Sequence, residues 1–151
     1  VGTWRGPDAV RPGGLGIARV EGGPTVVAVV AVNAAGEPDD GLLDRLVDGG
    51  ETWPAPGRVF GEERTNTTIG VIVTDATLDT TGCLLVAQSG HDGLGRALVP
   101  AHTRVDGDAL VAAATCRRPV PPGLGPGGEV DRVRILAVAA VERAVRAAVS
   151  G

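Results

Sequence analysis

The stretch "TVVAVVAV" (Thr25–Val32) limits the possible folds of this chain more than any other. It is far too short to cross a bilayer as a helix. Its β-branched residues suit a pleated strand, and its lack of alternation predicts a strand buried on both faces. Ile69–Val73 repeats the pattern. Strands of this kind need covering layers, and the sequence supplies a helix for one. Over Glu129–Val149, residues Val130, Val133, Leu136, Ala137, Ala140, Val141, Ala144 and Ala148 fall on one stripe. Acidic residues open that segment, arginines lie near its end, and Gly151 stops it. Mixed strands and helices with unbroken apolar strands define an α/β class, with a sheet covered on both faces.

The intervening chain is read more coarsely. Gly16–Val20 predicts a short strand, Leu42–Val47 a short helix, and residues 49–66 a surface loop. Asp75 or Thr77 is positioned to cap the next segment. Leu78–Val99 has a helical apolar face, although Gly82, Gly90, Gly93 and Gly95 weaken it, and Pro100 closes it. Asp108–Thr115 reads as a strand and Arg117–Gly128 as a loop. Aromatic residues are only 2% of the chain, so Val, Leu, Ile and Ala must fill the core. The 151 residues suffice for one domain.

The net charge of −4 is spread along the chain with no basic stripe, which argues against a nucleic-acid partner. No stretch suits a membrane span and no secretory signal is visible, so the expectation is a cytoplasmic chain. Cys83 and Cys116 have no metal-ligand spacing and read as buried free thiols, with a disulfide as the alternative. No metal site and no cofactor motif is read. The start "VGTWRG" reads like the interior of a longer protein.

Chemistry concentrates at the Asn66–Thr67 joint, where "GEERTN" meets "TTIGVIVTDA". A hydroxyl beside its own peptide bond can attack the preceding carbonyl. The resulting ester is then cleaved by water. The new chain begins with threonine, whose α-amine titrates near neutral pH and serves as a built-in base. The plain alternative is an ordinary loop-to-strand junction, and "NTT" also fits a glycosylation acceptor in a secreted protein. Asp106 and Asp108 flank Gly107, which puts both carboxylates on one face of an extended segment. Such a pair can orient a hydroxyl and an amine; a Gly-centred turn is the alternative. Asn33 ends the first buried strand, where its amide can donate to a developing oxyanion or simply turn the chain. His91 and His102 are candidate bases, with a structural hydrogen bond as the other role for His91. Trp4 and Trp53 either line a pocket or pack.

The runs "NTTIGVIVTDA", "HDGLGRAL" and "PAHTRVDGD", with "GGLGIARV" and "VVAVVAVNAAG" upstream, resemble the self-processing N-terminal-nucleophile hydrolases. That family includes L-aminopeptidase D-Ala-esterase/amidases, β-aminopeptidases and nylon-oligomer hydrolases. The resemblance spans nearly the whole chain. It implies a four-layer αββα sandwich whose N-terminal part is missing here, so that residues 1–151 form one domain or the C-terminal part of one. It implies autocleavage between Asn66 and Thr67, dividing the chain into 1–66 and 67–151. Thr67 would be nucleophile and base, Asp106 and Asp108 would orient it, and Asn33 would stabilise the oxyanion. The substrate would be a small peptide or amide, hydrolysed through an acyl-enzyme without a metal, by a homo-oligomer of processed chains. Gly13 and Gly14 would allow close backbone approach. Family members carry a lysine just before "GGLG"; here Pro12 stands there beside Arg11, and the chain has no lysine. Arginine supplies positive charge but does not act as a base. A silent remnant kept as a structural or binding module is the competing reading. An acyltransferase with the same threonine chemistry ranks below both, because its segment around the nucleophile differs.

Overall fold

A computed structural model describes residues 1–54, 66–122, 125 and 128–150. Two single-turn helices, Thr3–Arg5 and Pro7–Ala9, lead into β1 (Gly14–Glu21) and β2 (Thr25–Val32). The short strand β3 (Glu37–Pro38) and helix α1 (Leu42–Val47) follow. Then come β4 (Ile69–Ala76), α2 (Thr80–Ala97), β5 (Leu98–Val99), β6 (Ala109–Arg118) and α3 (Gly128–Val149). The main sheet has the order β1-β2-β4-β6, and β3 pairs with β5 in a separate ribbon. β1, β2 and β4 are mutually antiparallel, whereas β4 and β6 are parallel and joined by the α2 crossover. The predicted loop over 49–66 lies largely outside the described residues, as does Gly151.

Helices α2 and α3 pack together on one face of the sheet. Val26, Ala28, Val30 and Ile72 meet Val133, Ala137, Val141 and Ala144 there, all fully buried. A core of small branched residues requires close layers, and glycine provides them. A Cβ on Gly16 would lie 1.8 Å from the Ala144 carbonyl oxygen, and one on Gly14 would lie 2.4 Å from that of Ala148. The backbone of α3 therefore rests directly on β1. Gly90 and Gly93 do the same on α2, where a Cβ would meet Ile72 Cδ1 at 2.5 Å and the Val138 carbonyl at 2.6 Å. Gly90 and Gly93, which weaken α2 as an isolated helix, are thus what lets it pack, and tertiary contact overrides propensity.

Three expectations need correction. β2 is buried on one face only: its alternate residues Val27, Val29 and Ala31 are half-buried, and Leu15, Ile17, Ile69, Val71 and Val111 are exposed on the same side. Both helices lie on the opposite face, so among the described residues this chain supplies two of the four layers. Asp79, not Asp75 or Thr77, caps α2, accepting from Gly82 N–H at 2.7 Å. Asp75 and Thr77 are spent on the sheet instead, bonding Thr25 N–H and the Arg118 carbonyl. Finally, the cysteines are free but not buried: Cys83 is half-buried and Cys116 exposed at the open end of β6. Trp4 packs with Leu42, Leu46 and Val99 in a satellite cluster, whereas Trp53 is exposed.

Candidate active site

The sheet registers assemble the site. β1 pairs Gly14 with Val32, β2 pairs Ala31 with Ile69, and β4 pairs Ile69 with Ala109. Continued past the strand ends, these ladders put Gly13, Asn33, Thr67 and Gly107 in one row across four strands. Hydrogen bonds confirm the row at its centre. Thr67 N–H donates to the Asn33 carbonyl at 2.8 Å, and Gly107 N–H to the Asn66 carbonyl at 2.8 Å. Asn66 and Asp106 form a parallel bridge, and Ala109 N–H donates to the Thr68 carbonyl at 2.9 Å. The sequence separations are 34 to 41 residues, but the pairing is ordinary sheet pairing.

The Thr67 hydroxyl donates to the carbonyl oxygen of its own preceding residue, Asn66, at 2.7 Å. That oxygen therefore receives two donors, Thr67 Oγ1 and Gly107 N. Gly107 is needed for this approach, because a Cβ there would stand 2.9 Å from Thr67 Oγ1. Asn66 is almost wholly buried, and its Oδ1 accepts from Thr3 Oγ1 at 3.1 Å.

The two aspartates flank this centre and hold backbone rather than the hydroxyl. Asp106 Oδ1 accepts from Ala35 N–H at 2.9 Å, and its Oδ2 accepts from Thr103 N–H at 2.9 Å and Thr103 Oγ1 at 2.6 Å. Asp108 Oδ1 accepts from Thr68 N–H at 2.9 Å, while Oδ2 lies 2.8 Å from His102 Nδ1. Thr68 directly follows Thr67 and Ala35 lies two residues past Asn33, so the carboxylates clamp the strand ends that carry Asn33 and Thr67. Burial, then the neighbouring His102, holds His91 below the usual imidazole range, with Asp108 and Asp92 opposing.

The remaining candidates separate. Gly13 touches the row, since a Cβ on it would meet the Val32 carbonyl at 1.9 Å and Asn33 Cα at 3.7 Å. Gly14 faces α3 instead. Arg11 lines a cleft of about 440 Å³ with Arg5, Glu37, Asp40, Arg45 and Glu51, and none of the row residues lines it. Burial works against the Arg5 charge there, but its pairing with Glu37 and Glu51 outweighs this and raises its pKa. Sequence reading missed Thr3, Ala35 and Thr103 as partners of the site. Only Thr103, three residues before Asp106, carried a local signal, that of a side chain bonding back within a turn.

A mixed sheet with two helices packed on one face is the kind of layer from which the N-terminal-nucleophile hydrolase fold is built. The chain belongs to peptidase family S58, whose sequence model matches residues 12–151. An uncharacterized aminopeptidase of Mycobacterium leprae is 40% identical over 127 residues, covering 70% of this chain and 33% of that one. An uncharacterized aminopeptidase of Mycobacterium tuberculosis is 36% identical over 162 aligned positions, covering 92% and 47%. This chain therefore spans less than half the length of these relatives. Among solved structures, a β-aminopeptidase of Burkholderia sp. is similar with a TM-score of 0.58 and 25% identity, covering 90% of this chain and 41% of that one. The L-aminopeptidase D-Ala-esterase/amidase of Ochrobactrum anthropi, a variant of the Ntn hydrolase fold, matches with a TM-score of 0.53 and 22% identity over 90% and 39%.

Proposed function

We propose that this chain carries the nucleophile of a self-processing aminopeptidase or amidohydrolase acting on small peptides or amides. The observation that carries the proposal is the Asn66 carbonyl, held by Thr67 Oγ1 at 2.7 Å and by Gly107 N–H at 2.8 Å. In the first reaction Thr67 Oγ attacks the Asn66 carbonyl carbon. The Gly107 N–H stabilises the oxyanion, the C–N bond breaks, and the nitrogen takes a proton. Water then hydrolyses the ester, leaving Asn66 as a carboxylate and Thr67 with a free α-amine. The Asn33 carbonyl already bonds that nitrogen at 2.8 Å, so the new amine stays beside its hydroxyl. In the second reaction the amine takes the hydroxyl proton as Oγ attacks a substrate amide. The leaving amine departs, and water releases the acyl group. Asn33, Asp106 and Asp108 position these groups. The reading carries with it a homo-oligomer of processed chains.

Denaturing electrophoresis with mass determination of the purified protein tests this. Two fragments are expected, one ending at Asn66 and one starting at Thr67, followed by activity on a panel of amino-acid p-nitroanilides. The absence of lysine favours the competing scaffold reading; a single intact band after prolonged incubation would overturn self-cleavage. Gly107→Ala separates the two further. Its methyl group would press on Thr67 Oγ1, so cleavage should slow on the order of 100-fold while the fold persists, given how steeply such reactions depend on approach geometry. Pulse–chase in cell-free synthesis would measure the rate.

A further inference from the structure

Asp106 and Asp108 are held in different ways. Asp106 is secured within its own turn by Thr103, through both the backbone and the hydroxyl. Asp108 has no such local support. One of its oxygens takes Thr68 N–H, and the other faces His102 Nδ1 at 2.8 Å. The Asp108 side chain is 7% exposed and that of His102 is 39% exposed, so the ring closes the carboxylate off from solvent. The His102 ring is itself fixed. Its Nε2 lies 3.3 Å from the His91 carbonyl on α2, and the two imidazoles tilt against each other with centroids 5.0 Å apart. The His102 backbone has φ 54°, in the left-handed region where only Gly, Asn, Asp and His are at all common. Such a conformation persists where surrounding contacts hold it.

We infer that His102 is a positioning residue for the Thr67 chemistry, acting through Asp108: its ring locks the carboxylate that holds the peptide immediately after the nucleophile. His102 does not touch Thr67 and takes no proton in the reaction. Without the ring, one Asp108 oxygen loses its partner and the carboxyl can rotate. The Thr68 N–H is then less firmly held, and with it the Thr67 hydroxyl over the Asn66 carbonyl. This inference rests on the self-cleavage reading.

The test is the rate of self-cleavage in pulse–chase cell-free synthesis, with folding checked by circular dichroism. His102→Gly accommodates the left-handed backbone but removes the donor, so cleavage should slow about 10- to 100-fold. His102→Asn tolerates the same backbone and its amide nitrogen can reach the position of Nδ1, so the rate should recover to within a few-fold of wild type. His102→Gln, whose amide lies one bond further out, should stay slow. If His102→Gly fails to fold, the contrast between Asn and Gln decides. A His102→Gly chain that cleaves at the wild-type rate, or equal rates for Asn and Gln, overturns the inference and leaves self-cleavage standing. A wild-type chain that never cleaves overturns both.

Discussion

Thr67→Ala is expected to yield one intact chain under conditions where the wild type yields two. The substitution removes the hydroxyl oxygen placed 2.7 Å from the Asn66 carbonyl oxygen, and among the described residues no other hydroxyl bonds it. The loss should be complete on a gel, because a nucleophile has no partial substitute. Thr67→Ser keeps the oxygen and should still cleave, which separates chemistry from packing. Neither change should unfold the protein. Thr67 is only half-buried, and removing one hydrogen bond costs about 1 kcal/mol. Intact Thr67→Ala with native circular dichroism is therefore the expected pair of observations. A cleaved Thr67→Ala chain would show that a contaminating protease, rather than this hydroxyl, cuts the joint.

The largest effect on stability is expected from Gly16→Ala. The new methyl carbon would be placed 1.8 Å from the Ala144 carbonyl oxygen, 2.7 Å from its carbon and 3.0 Å from Ala148 N. These are backbone atoms of α3, not the end of a flexible side chain, so the whole helix must move. Ala140, Val141, Ala144 and Val145 are fully buried against the sheet and would lose their fit together. Overpacking of this kind costs about 3 kcal/mol. In a domain of this size that lowers Tm by roughly 10 °C. Urea denaturation should show a reduced midpoint with an unchanged slope. Gly95→Ala is the matched control: it is exposed on α2 with nothing within 4 Å of its added Cβ. It should gain about 0.5–1 kcal/mol through helix propensity alone. If both variants denature at the same midpoint, the close contact between α3 and β1 is wrong.

Much of the architecture was legible because its signals are local. The β-branched run of β2 and the stripe of α3 each declare a period within a few residues. Leu42–Val47 forms the predicted helix with the predicted bounds. The contact between the Thr67 hydroxyl and the Asn66 carbonyl was legible for a stronger reason: a hydroxyl and its own preceding carbonyl are covalent neighbours, so no fold is needed to bring them close. The aspartates were legible as a pair but not in their partners. That Asp106 reaches Ala35 and Asp108 reaches Thr68 depends on strand order, which no spacing of two residues encodes. The second face of the sheet reads as interior in the sequence because Leu15, Ile17, Ile69, Val71 and Val111 are apolar, and among the described residues nothing covers it. The cap of α2 was misjudged because three acceptors, Asp75, Thr77 and Asp79, crowd one short stretch, and pairing with Thr25 and Arg118 claims the first two.

The donor that Gly107 offers to the Asn66 carbonyl is also a rung of the parallel β4–β6 ladder, extended beyond the strand ends. Sliding β6 by one residue would carry that rung about 3.3 Å away and turn Leu110 out of the interior. A chain threaded wrongly would thus lose the alignment that cutting requires. Under the proposed self-cleavage, scission at Thr67 would serve as a certificate of correct assembly, issued by the sheet itself, and the fraction cut would measure how faithfully the strands have found one another.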